Sequence, residues 1–290
     1  MRIAYIDFSP SNDHPGISHR EMNTVYAGMF GANKRLKSHE VMCDSYFTGT
    51  HSDPLPAAVL NRRYDGVICA MLNRKYPWPK RALRVPVVSI LGDTVTDGGN
   101  RIRFDNARAI ALIHAHLQEE GFTRIAYIDP FISSWARERD EAVRALPGAL
   151  SIFDHERCMT VLTQKQARAL ALQWGSIALQ ERRALVAALL DAVFRERPDA
   201  IIGVNDSVAA ACIDRCKAVG RNVPGDVAVA GIDDFGHEFE PYGVSFLTTV
   251  RQDFYQAGEM AAQMMVEMLA GSRPKHSQLI SVAPRLIVRL

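Results

Sequence analysis

The sequence predicts a doubly wound α/β fold divided into two lobes, and three observations carry that prediction. Short aliphatic or β-branched runs alternate with longer segments of helical period along the chain. Several runs are apolar almost throughout, as in Ile201-Ile202-Gly203-Val204 and Val227-Ala228-Val229-Ala230-Gly231-Ile232, the pattern of parallel strands covered by helices on both faces. At 290 residues the chain also exceeds the size at which one hydrophobic core usually keeps growing.

The candidate strands are 2–8, 41–47, 65–72, 86–91, 124–129, 158–163, 200–204 and 227–232. Helices are read from their caps and apolar faces. Asp105 can accept from the first free backbone N–H groups of a helix that carries Ile110, Ile113 and Leu117 on one side and stops before Gly121. Val219-Gly220 closes the helix after Asp206, and Val223-Pro224-Gly225-Asp226 turns into the next strand. Asp253 can cap a helix with Phe254, Ala257, Ala261, Met264, Met265 and Met268 on one face and Gly271 beyond; such a methionine stripe reads as core rather than interface. The stretch 93–100 reads as a loop, and 174–184 as a loop running into a helix. No internal repeat or low-complexity tract stands out.

Composition excludes several classes. With 34 basic against 32 acidic residues the net charge is +2, which leaves no basic stripe for wrapping nucleic acid. No apolar run approaches the ~20 residues of a membrane helix. The N-terminus meets Asp7 too early for a secretory signal, and five cysteines, an odd number, read as free thiols in a reducing cytoplasm. Cys212 and Cys216 lie one helical turn apart without further ligands at metal spacing, and His114 and His116 fall on different helix faces, so no metal or cofactor is expected.

Open α/β sheets bind ligands beyond the carboxyl ends of their strands. The polar residues standing there are 9–12, Asp93, Asp105-Asn106, 133–139, Asn205-Asp206, Asp233-Asp234 and Arg251-Gln252. Carboxylates, amides and guanidinium groups match sugar hydroxyls, which both donate and accept, and an aromatic face such as Trp135 or Trp174 can cover a sugar ring. Taken singly, each Asp or Asn is equally well a helix cap.

Taken in order, these residues resemble a known family. Residues 198–234, PDAIIGVNDSVAAACIDRCKAVGRNVPGDVAVAGIDD, match the lactose-repressor/galactose-repressor family of bacterial transcription regulators: a strand ending in Asn-Asp, a helix, a Gly, a Val-Pro-x-Asp turn, and a strand ending in Asp-Asp. Leu247-Thr248-Thr249-Val250-Arg251-Gln252 follows the family's Leu-Thr-Thr segment. Phe104-Asp105-Asn106 with His116-Leu117 and Gly121, the run 133–139, and the closing 284–289 are also similar to it. The likeness covers roughly 86–290.

The resemblance implies a two-lobed, type I periplasmic-binding-protein-like fold, with residues 1–120 plus 253–277 in the N-terminal lobe and 121–252 plus 278–290 in the C-terminal lobe. It implies a small-molecule effector, a sugar above all, held between the lobes by Trp135, Arg139, Asn205, Asp233 and Gln252, with Asp206 behind Asn205 and with Ser9 and Asn12 from the first lobe. Arg139 would offer its donor fork to the ligand. The family's DNA-binding helix-turn-helix head has no room before the strand at 2–8, so DNA would be met only through a domain absent from this chain. Homodimerisation is implied as well. A free-standing sugar-binding protein of a transport system shares the fold, and the missing signal and odd cysteine count weigh against it. An enzyme would need a nucleophile–base pair, phosphate loop or metal motif, and none is legible.

Overall fold

The computed structural model describes residues 1–8, 19–47, 55, 57–61, 63–71, 85–92, 99–131, 133–148, 150–170, 179–234, 247–272 and 277–289. In chain order the elements are β1 (Arg2–Asp7), α1 (His19–Ser38), β2 (Met42–Phe47), α2 (Ala57–Leu60), β3 (Gly66–Ala70), β4 (Val87–Ile90), β5 (Asn100–Phe104), α3 (Asn106–Glu119), β6 (Ile125–Ile128), α4 (Ser134–Arg144), β7 (Ser151–Phe153), α5 (His155–Val161), α6 (Gln164–Leu170), α7 (Leu179–Val193), β8 (Ala200–Gly203), α8 (Asp206–Ala218), β9 (Ala228–Asp233), β10 (Thr248–Arg251), α9 (Phe254–Leu269), β11 (Leu279–Val282) and β12 (Arg285–Ile287). The chain divides into two units, one of residues 1–104 and 253–282, the other of 105–252 and 283–290.

In the first unit the strand order is β11-β5-β4-β3-β1-β2, all parallel. Alternation along β1 sends Ile3 and Tyr5 to one face and Ala4 and Ile6 to the other, and two separate apolar clusters result. The first is closed by Leu36 and Ala32 of α1 and by Ala261, Met264 and Met265 of α9, so the methionine stripe is core. In the second unit the order is β12-β10-β9-β8-β6-β7, with β12 alone antiparallel. The sheet is buried on both sides by one large apolar cluster. Each sheet therefore carries the 2-1-3-4-5 winding of doubly wound folds, whose switch point in the second unit lies between β6 and β8.

The aliphatic runs expected as strands form β1 to β4, β6, β8 and β9, and Asp105 and Asp253 cap α3 and α9 by accepting from Arg108 N and Gln256 N. One expected strand is wrong. Residues 158–163 are mostly helical, because Asp154 accepts from Arg157 N and opens α5, and the edge strand is the preceding β7. A short run of Cys, Met, Thr, Val and Leu has no period that separates strand from buried helix, and the cap decides. The unit boundaries also differ from 120/121 and 277/278. Helix α3 joins the second unit because Ala109, Ile110, Ile113 and Leu117 bury into its core, while β11 pairs with β5 in the first.

Helices α1 and α9 approach at glycines: a Cβ on Gly258 would stand 1.8 Å from the carbonyl oxygen of Gly28. Alanine in a helix interior is normally favoured over glycine by ~1 kcal/mol. The collision reverses the sign here, and Gly258→Ala is expected to lower stability by about 1–3 kcal/mol in urea denaturation.

Candidate functional site

The polar residues beyond the strands of the second unit are placed by three local devices. The first is the start of α8. Asn205 caps it, its Oδ1 accepting from Val208 N at 2.9 Å. The next residue, Asp206, turns into the sheet and its Oδ1 accepts from the Thr249 hydroxyl at 2.6 Å. That approach needs a strand without a side chain, since a Cβ on Gly231 of β9 would stand 2.3 Å from the same Oδ1.

The second device is the end of β9. Asp233 and Asp234 take φ values of 114° and 54°, a left-handed turn of the backbone that non-glycine residues adopt at a cost of about 1–3 kcal/mol each. The turn drives two adjacent carboxylates apart. Asp234 accepts from Arg251 and Arg289, both at 2.6 Å, whereas Asp233 accepts from Arg139 Nη2 at 2.9 Å.

The third device is α4, capped by the Ser133 hydroxyl, which brings Arg139 to these strand ends. Arg139 is 3% exposed. Its Nε donates to Asn106 Oδ1 at 3.0 Å, Nη1 to the Val204 carbonyl, and Nη2 to both Asp233 Oδ1 and Gln252 Oε1 at 2.9 and 3.0 Å. Gln252 Nε2 donates to the same Asn106 Oδ1 at 3.2 Å, and Asn106 Nδ2 to Glu138 Oε2 at 2.8 Å. The guanidinium lies 4.9 Å from the centre of the Trp135 ring, which in turn packs on Phe131. Burial pushes the Asp233 carboxyl upward, and the charge and hydrogen bond of Arg139 hold it back.

A further acidic group interacts electrostatically with Arg139. Asp129, fully buried after β6, accepts from Phe131 N at 2.8 Å, with the Tyr127 hydroxyl 3.5 Å away. Burial first, and then the charge of Asp140 on α4, raise the Asp129 carboxyl well above its usual range. Burial also raises Asp140.

The structure thus gathers Trp135, Arg139, Asn205, Asp233 and Gln252 at the ends of β8, β9 and β10 in one unit. Asp206 faces Thr249 instead of this group. Ser9, Asn12, Asp93 and Trp174 lie outside the described residues. Two expectations change: Arg139 gives four N–H groups to the protein rather than its whole fork to a ligand, and Trp135 carries the guanidinium on its face. Sequence reasoning missed Asn106 and Glu138 as members. Asn106 was visible as a polar residue just past a strand, but the neighbouring cap, Asp105, accounted for it. The five cysteines are free, and burial pushes Cys216 up to about 11 and Cys43 to about 12, which keeps both as thiols at neutral pH. Among the described residues no three His, Cys, Asp or Glu side chains group as metal ligands, and no helix is long and apolar enough to cross a membrane.

Residues 114–290 match the family model of the periplasmic binding protein-like domain. The arabinose metabolism transcriptional repressor of Geobacillus stearothermophilus is 33% identical over 94 residues, covering 32% of this chain and 25% of that protein. The ribose operon repressor of Halalkalibacterium halodurans is 24% identical over 234 residues, 79% of this chain and 63% of that one. The chain therefore spans less than two thirds of the length of these relatives. Among solved structures, the transcriptional regulator CelR in complex with cellobiose superposes with a TM-score of 0.70 at 22% identity, covering 99% of this chain and 83% of that chain.

Outcomes at two residues, Asp233 and Asp129, follow from the geometry. Asp233→Ala leaves a buried guanidinium without its counter-charge and is expected to cost about 3–5 kcal/mol. Asp233→Gly should recover about 1–2 kcal/mol of that by relaxing the positive φ, both read by urea denaturation. Because the folded protein holds the Asp129 proton more tightly than the unfolded chain, whose pKa is near 3.8, stability should fall as pH rises above that value towards the raised one. Asp129→Asn should flatten this slope in urea midpoints measured against pH.

Proposed function

Because the chain belongs to the periplasmic binding protein-like domain family, we propose that it is the effector-sensing part of a bacterial transcription regulator of the lactose-repressor type, and that its effector is a sugar. The observation that carries this reading is the Arg139–Asp233 pair at the strand ends, flanked by Asn205 and Gln252. One Asp233 oxygen is committed to Arg139, which leaves the other as an acceptor for a hydroxyl; among the described residues one Nη1 hydrogen of Arg139 has no protein acceptor. An acceptor and a charged donor side by side suit a pair of sugar hydroxyls. Asn205 adds its amide Nδ2, which takes no part in the cap. Ser9 and Asn12 are proposed as further contacts from the sequence.

The relatives matched are transcription regulators, neither enzymes nor transport proteins. In the proposed mechanism the chain performs no catalysis. The sugar favours one arrangement of the two units by its difference in affinity for the alternatives, and can shift that equilibrium by no more than this difference. DNA is met through a domain outside this sequence, in the cytoplasm, by a homodimer. A monomer by light scattering across micromolar concentrations would remove the dimer.

A thermal-shift panel of ribose, arabinose, cellobiose and hypoxanthine tests the reading. A sugar present at 100 times its Kd stabilises the native state by ~2.7 kcal/mol, a shift of several degrees. Stabilisation by hypoxanthine alone would overturn the sugar class and keep the sensor. Turnover of any of these compounds by the pure protein would overturn the sensor.

A further inference from the structure

We propose that Asn106 is a positioning residue that locks Arg139 to the two points at which the main chain enters and leaves the second unit. The inference rests on the sensor reading and deepens it. The second unit begins at Asp105 and its main segment ends at Gln252. Asn106 is therefore one residue inside the entry, and Gln252 is the last residue before the exit. Their side chains are joined directly, Gln252 Nε2 to Asn106 Oδ1 at 3.2 Å, and each is joined to the same guanidinium, Nε to Asn106 at 3.0 Å and Nη2 to Gln252 at 3.0 Å. Three side chains make a closed ring of hydrogen bonds, and all three are buried at 3–6% exposure.

In that ring a single atom, Asn106 Oδ1, accepts twice. Its orientation is fixed from outside, because Nδ2 of the same amide donates to Glu138 on α4, the residue before Arg139. Swapping the amide atoms would put a donor against the guanidinium and an oxygen against the carboxylate, so one orientation is enforced electrostatically. The arginine is also the group that meets the effector, through Nη1 and through Asp233. A ligand that draws on Arg139 thus pulls on a ring whose other members stand beside two of the chain's three passages between the units. Neither residue needs to touch the ligand to feel it.

The test uses the whole chain, with ribose and cellobiose as probes. Solvent exchange of the Arg139 Nε–H, followed by 15N NMR and assigned through bonds from its own amide, reads the lock without any ligand. Asn106→Ala should speed that exchange at least about 10-fold, the loss expected for a hydrogen bond to a charged group, while the backbone spectrum stays native. Asn106→Asp made together with Glu138→Gln keeps an acceptor for Arg139 and sets an amide donor, not a like charge, against the other carboxylate oxygen; this double variant should exchange as slowly as the wild type or more slowly, which keeps the test decisive if the alanine variant does not fold. Unchanged exchange in Asn106→Ala, or faster exchange in the Asn106→Asp, Glu138→Gln double variant, would overturn the lock. For whichever probe binds the wild type, Asn106→Ala should weaken affinity about tenfold and the Asn106→Asp, Glu138→Gln double variant should restore it; equal affinities in all three proteins overturn the coupling to the ligand. Failure of both sugars to bind the wild type counts against the sugar reading alone, and the exchange measurement still decides the role of Asn106.

Discussion

A guanidinium that is always charged, almost completely withdrawn from water, is the constraint around which the second unit is arranged. Burying such a group without partners costs far more than a folded domain has to spare, so every neighbouring element must present an acceptor. Helix α3 brings the Asn106 oxygen, the end of β8 the Val204 carbonyl, the end of β9 the Asp233 carboxylate, and the end of β10 the Gln252 amide. The Trp135 face covers the flat side of the ion. One side chain is thus shared by four parts of the unit, and the strained backbone at Asp233 is intelligible in this light. A regular strand end would send the carboxylate elsewhere and leave Arg139 without the ion pair it makes at 2.9 Å.

The sheets explain why these acceptors converge. Each unit winds its strands in the same order, although the two halves show no repeat at the level of residues. Parallel winding lines up the carboxyl ends of the strands along one edge, and the reversal between β6 and β8 opens the loops there. Gly231 supplies the remaining tolerance by letting the first turn of α8 sit against β9, so that Asp206 is anchored by Thr249 and Asn205 is left at the edge. The position of the site is thus a property of topology, and its chemistry a property of a few side chains.

Helix α4 carries a second electrostatic element on the turn that bears Arg139. Asp140 stands near Asp129, and burial holds both carboxyls above their usual range, so the pair favours retaining a proton. The same helix therefore joins an ion that needs acceptors to an acid that avoids charge. The likeness to solved regulators agrees with this arrangement at the level of fold, and the roles of individual side chains stand on their own geometry.

The sequence by itself determined the α/β class, most of the central strands and the caps Asp105 and Asp253, while the family resemblance of its ordered motifs singled out Trp135, Arg139, Asn205, Asp233 and Gln252 together. Those features are local: apolar period, cap chemistry and the order of motifs survive without knowledge of the fold. Short edge strands and α5 were lost because a few residues with no distinct period are assigned by their neighbours, as Asp154 assigns α5. The unit to which α3 belongs, the inward turn of Asp206, the internal use of Arg139 and the part played by Asn106 were decided only in three dimensions. Each depends on which partners distant along the chain, 30 to 150 positions away for the hydrogen bonds, arrive within bonding or packing distance, and that is set by sheet winding and close packing, not by any residue's own propensity.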